Sequence, residues 1–171
     1  MAKIHPSLQL SAGDIKTLLQ RERHMRIATH GPGMHINLTP MTFGYAERLT
    51  SQAGEPSDDL DFALYFFGRG QKIANLRRNP VTTILVDGGS SWRTLFGIMV
   101  QGEARVLEDP EAEQNDPGLP AAQLNLGQKH GLQDDAGNTL PHRATAAGAS
   151  RRWVVFTPEK LTTWDNSKLP S

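Results

Sequence analysis

A base held between two glycines, with a second base three residues on, is a combination suited to holding a phosphate, and Gly68-Arg69-Gly70-Gln71-Lys72 has it. The glycines free the backbone to bend and to bring its N–H groups close to a ligand. A helix starting at Gln71 would aim its positive end, with unpaired N–H groups, at the same point. Arg69 and Lys72 add full charges for charge-assisted hydrogen bonds. Arg77 and Arg78 follow on that helix. No acid lies between Asp61 and Asp87, so four bases stand together in a chain whose net charge is zero. The charge therefore belongs to this segment and not to the surface as a whole. A solvated basic helix behind an ordinary turn would have the same residues, since a Gly-rich turn alone is weakly specific.

The elements around this turn are readable from pattern. Phe62–Phe67 and Val81–Val86 are six-residue apolar runs bounded by Gly or Pro, the signature of buried strands. Between them Ile73 and Leu76 share one helical face, and Asn79-Pro80 stops the helix because the ring disfavours an α conformation before it. Upstream, Ser11-x-x-Asp14 opens a capping-box helix lined by Ile15, Leu18 and Leu19, which ends in Arg21-Glu22-Arg23. Met25–Thr29 is a first strand, Gly31-Pro32-Gly33 a turn, and His35–Phe43 a second strand whose Ile36 and Leu38 alternate with polar residues. Gly44–Asp61 reads as a solvated hairpin loop, and Gly88-Gly89-Ser90-Ser91 as a flexible tip before Trp92-Arg93. Phe96–Leu107 is a long strand with Ile98, Val100 and Gly102 on one face, and with Glu103 and Gln101, a candidate hydrogen-bonding group for a ligand, on the other. Residues 109–150 carry little periodicity beyond a helix around Ala121–His130, and 133–150 read as mobile loop. Arg151–Thr157 is the last long strand; Pro158 starts a turn, and Leu161–Trp164 is a short terminal strand.

The run from Lys72 to Asp87, K-x-x-N-L-R-R-N-P-x-x-x-x-L-V-D, resembles the signature of the pyridoxamine 5'-phosphate oxidase-like split-barrel family, and most of all its flavin and deazaflavin branch. RIATHGPGMHINLTP, FGIMVQGEARVLED and RRWVVFTPEKLTTWD fit in order, so the resemblance spans nearly the whole chain. It implies one mainly β domain over 1–171, an FMN-binding split β-barrel of six or seven antiparallel strands with two or three helices. It also implies a homodimer with its cofactor cleft between subunits. In the family, the strand with this T-P segment lies along the cofactor ring, which assigns Thr39, Pro40, Met41 and Thr42 to ring contact; Met41-Thr42 stand where the family commonly has an aromatic residue. Trp92 would lie near the partner's cofactor. Lys72 and Arg69, with Gly70 and Gln71, would hold the phosphate, and Arg77 and Arg78 the anionic tail of a deazaflavin coenzyme. The implied chemistry is hydride transfer between the cofactor and a small conjugated organic substrate. The deazaflavin coenzyme F-420 is preferred over FMN because its oligoglutamate tail suits a spread of bases. The other reading is a non-catalytic carrier for flavin, haem or another apolar ligand. No catalytic side chain is assigned.

Composition narrows the field further. Balanced charge and a pI near 7 argue against nucleic acid or an anionic membrane as partner. No apolar run is long enough to span a bilayer, and the start MAKIHPSLQL has no apolar h-region, so the cytoplasm is expected. With no cysteine, disulfides, thiol nucleophiles and thiolate-bound metal are excluded. His24, His30 and His35 are six and five apart, which fits no helical ligand pair, and no metal is expected.

Overall fold

Alternation decides which way each strand faces. A computed structural model describes residues 8–47, 61–143 and 151–169. Seven strands form one antiparallel sheet: β1 His24–His30, β2 Ile36–Thr42, β3 Gly44–Glu47, β4 Phe62–Gly68, β5 Val81–Gly88, β6 Phe96–Val106 and β7 Arg152–Asp165. Their order is β2-β1-β5-β6-β7-β4-β3. The two edge strands, β2 and β3, are separated in sequence by Phe43 alone, so the sheet has to curl until its edges meet. They meet without pairing. The result is a split β-barrel.

Every second residue points inward. Met25 and Ile27 of β1, Phe62, Leu64 and Phe66 of β4, Ile84 and Val86 of β5, Ile98 and Val100 of β6, and Val154 and Phe156 of β7 fill the interior. Helix α1, Ala12–Arg21, adds Ile15, Leu18 and Leu19; helix α2, Gln71–Arg78, adds Ile73 and Leu76. A second core lies outside the barrel. There Ala63 and Tyr65 of β4 and Trp153 and Val155 of β7 pack against Leu119, Ala122 and Leu126 of helix α4, Leu119–Lys129. A short helix α3, Pro110–Gln114, precedes it, capped by the Asp109 carboxylate. No helix among the described residues is long and apolar enough to cross a membrane.

Three expectations change. Gly44–Glu47 is strand β3 and not loop, paired with Phe62–Tyr65; Gly44 fits because a side chain there would collide with the Ala122 backbone of α4. The rest of that expected loop, 48–60, lies outside the described residues, as do 144–150 of the expected mobile loop. Among the described residues the α-helices number four and not two or three, because the short α3 joins the expected α1, α2 and α4. Finally, β7 runs unbroken through Pro158, with a register shift opposite Gln101/Gly102. Its pairing with β4 stops at Phe156, so beyond that point β7 has a free edge where the missing proline N–H costs nothing.

Candidate functional site

Backbone geometry makes the cradle. Gly70 has φ +68°, the left-handed region where a side chain is strained, and no heavy atom would lie within 4 Å of a Cβ added there. It is the N-cap of α2 and no side chain caps the helix, so the first N–H groups of α2 lack a side-chain acceptor beside open space. Arg69 and Gln71 are exposed. Lys72 is half-buried, and its Nζ lies 2.7 Å from the Met41 thioether sulfur. Among the described residues no carboxylate pairs with it, and burial lowers its pKa from the ordinary lysine value. A desolvated ammonium, uncapped helix amides and a glycine with free space before it fit a phosphate oxygen set.

Asn75 holds this corner together. Its side chain is fully buried; its amide donates to Thr29 Oγ1 of β1 (3.1 Å), and its carbonyl accepts from Gln71 Nε2 and Arg78 (2.8 Å each). Arg78 also donates to the His30 carbonyl at 3.3 Å. In the K-x-x-N run Asn75 carries no role that the sequence alone assigns. No local signal marks it: two residues past Ile73 and one before Leu76, it lies off their helical stripe, and packing against Thr29 of β1 is what buries it.

The predicted ring-contact residues divide. On β2, Thr39 and Met41 register with Ile27 and Met25 and share their face, the one Lys72 touches. Pro40 and Thr42 register with Arg26 and His24 on the outer face. Arg77 leaves the cradle for Glu108, in a two-bond fork of 2.8 and 2.5 Å; that fork raises the guanidinium's pKa and lowers the carboxyl's. Gln101 is exposed on the outer face of β6, between Thr83 and Lys160. Trp92 sits 71% exposed in a 3₁₀ turn at the β5–β6 tip, its carbonyl accepting from Asn166 Nδ2. Among the described residues, neither Gln101 nor Trp92 makes a hydrogen bond with Lys72 or with β2.

That outer face is itself informative. Registers place Leu38, Ala28, Thr83 and Gln101 in one row, and Pro40, Arg26, Leu85 and Met99 in the next. Ile36, Leu38 and Val81 are 57%, 65% and 52% exposed, with the Arg26–Asp87 ion pair among them. The expected apolar face of β2 is real, but it points away from the barrel core.

The pyridoxamine 5'-phosphate oxidase family model matches residues 12–165. No curated protein matches the sequence. Among solved structures, a conserved hypothetical protein from Mycobacterium tuberculosis is 23% identical, with a TM-score of 0.71, covering 99% of this chain and 95% of that one. An F-420 reductase is 21% identical, with a TM-score of 0.52 over 86% of this chain and 94% of its own. The haem storage protein of Vibrio cholerae is 13% identical, with a TM-score of 0.55 over 91% and 96%. At these identities the likeness is one of fold.

Proposed function

The chain belongs to the pyridoxamine 5'-phosphate oxidase family, and from that premise we propose that it is an oxidoreductase exchanging a hydride between a bound flavin or deazaflavin and a small conjugated organic substrate. The observation that carries this is Lys72, a half-buried ammonium with no carboxylate partner among the described residues, beside the uncapped start of α2. When bound, the cofactor ring supplies the hydride chemistry, and the chain binds and orients it and keeps water away. Lys72 and the turn amides at Gly70 and Gln71 hold the phosphate, with Arg69 at the rim. Thr39 and Met41 set the plane of the ring along β2.

F-420 remains the preferred ligand and FMN the alternative. With Arg77 engaged by Glu108, the bases available to a longer anion are Arg69, Lys72 and Arg78. The open outer face of β2, β1, β5 and β6 supports a homodimer, because its exposed aliphatic rows gain by mutual burial. In that dimer Gln101 and Trp92 reach the partner's cofactor, and the partner completes the wall around the ring.

The test is reduced F-420 or FMN mixed with the protein and a panel of quinones, enones and tetrapyrroles. An oxidoreductase accelerates oxidation by at least one acceptor. A carrier slows it for all of them, and that result would replace this reading.

A further inference from the structure

A cleft of about 700 Å³ among the described residues is lined by none of the residues assigned above to the cofactor. It lies on the outer face of β3, β4 and β7, beside α4. Side-chain size along β4 explains it. Phe67 and Tyr65 are large and fill the space beneath α4, whereas the next outward residue, Ala63, is small and stands opposite Ala46 of β3. The helix cannot follow the floor down. Its flank therefore overhangs a hollow, with Ala121, Leu124, Asn125 and Gln128 facing it at helical spacing. Leu124 is 47% exposed there.

One end of the hollow is polar and organised. The Asp116 carboxylate is buried and accepts from the Tyr65 hydroxyl (2.7 Å), from Arg105 (3.0 Å), and from the amides of Gly118 and Leu119 (3.2 Å each). It is saturated and acts as an anchor. Arg105, fixed to it through one nitrogen, keeps a 65% exposed side chain with donors to spare. The other carboxylate among the described lining residues, Glu47, is bridged by Lys16 at 2.5 Å. Both acids are thus neutralised by partners while Arg105 still has hydrogen bonds to give.

We propose that this cleft binds a small amphipathic organic anion, its carboxylate or sulfonate on Arg105 and its apolar body on Ala63, Ala121, Leu124 and Val155. Size, an apolar lining and one oriented guanidinium are the ordinary requirements of such a site. The site is independent of the cofactor cradle.

The experiment uses the full chain with the aryl sulfonate 8-anilinonaphthalene-1-sulfonate as fluorescent probe, and dodecanoate and dodecanol as competitors. Saturable one-to-one binding is expected, displaced by dodecanoate about tenfold more effectively than by dodecanol, the scale of one charge-assisted contact. Arg105→Gln should weaken the probe about tenfold. Ala121→Trp, on the exposed flank of α4 and leaving the Asp116 network intact, should block it. FMN should not displace it. Probe binding unchanged in both variants, equal competition by acid and alcohol, or displacement by FMN would each overturn the proposal.

Discussion

Lys72 Nζ stands 2.7 Å from Met41 Sδ, so the turn after β4 and the edge strand β2 meet at one ammonium–thioether contact. A thioether is a weak acceptor and cannot replace the water that an ammonium loses on burial. Burial accordingly lowers the Lys72 pKa from 10.5. A phosphate would restore the charged form, so cofactor binding takes up a proton once the pH exceeds the lowered value. Affinity should therefore fall as pH rises through the Lys72 pKa of the free protein towards that of the complex. Lys72→Arg, which keeps its charge throughout this range, should flatten the dependence. Titrations between pH 7 and 10 decide it; equal slopes in the two proteins would remove Lys72 from the phosphate.

Asn75 gives a stability prediction. Asn75→Leu leaves the buried Thr29 hydroxyl without its donor and frees Gln71 and Arg78. A cost of about 1–3 kcal/mol is expected in urea denaturation, the scale of one buried polar group losing its partner. Cofactor affinity should fall with it, since the first and last turns of α2 are both tied to this amide. An unchanged midpoint would show that the network contributes nothing net.

The two adjacent arginines should respond differently to salt. Raising ionic strength from about 0.05 M to about 0.5 M shortens the Debye length from about 14 Å to about 4 Å. Arg78 faces the cradle side through Asn75 and His30, whereas Arg77 is held on Glu108. Arg78→Ala should reduce the salt dependence of F-420 affinity, and Arg77→Ala should leave it as in the parent. A reduced slope in Arg77→Ala would mean that the ligand draws this arginine off Glu108.

Lys129 supplies a second titration, away from the cradle. It is buried, donates to the Phe43 carbonyl at 3.1 Å, and lies 3.5 Å above the Phe43 ring. Burial pushes its pKa down to about 7, with Glu22 opposing the shift. The folded value is below the unfolded one, so its contribution to stability is complete above about 10.5 and is lost as pH falls towards about 7. Stability should rise between these limits. Lys129→Met should remove that rise and be the more stable protein at pH 7, by an amount on the order of a few kcal/mol. Parallel pH profiles of melting temperature would contradict this.

The parts of the fold legible in sequence were those set by short-range physics. Phe62–Phe67 is apolar because β4 is covered on both faces, Val81–Val86 is dominated by β-branched residues whose inward members Ile84 and Val86 enter the core, and Asn79-Pro80 ends α2 whatever surrounds it. Strand β3 was hidden because Gly44–Glu47 is too short to show a period; pairing with β4 and packing under α4 create it. Pro158 read as a turn because its tolerance depends on where β4 ends, which is a tertiary fact. For the site, the Gly-rich turn and its bases were visible as residues. Their division was not: Arg77 is diverted by Glu108, thirty-one positions away, and the four β2 residues are dealt alternately to two faces.

The most direct test of the central claim is a binding comparison of FMN with riboflavin, and of F-420 with its ring-and-ribityl fragment lacking the phosphodiester, in the parent protein and in Lys72→Ala. The account predicts that the phosphate-bearing form of at least one pair binds the parent more tightly than its counterpart. Lys72→Ala should remove about 1.5–3 kcal/mol of that preference, the value of a charge-assisted hydrogen bond, with the phosphate-free forms unaffected. Equal affinities within both pairs, or a preference that survives intact in Lys72→Ala, would contradict it.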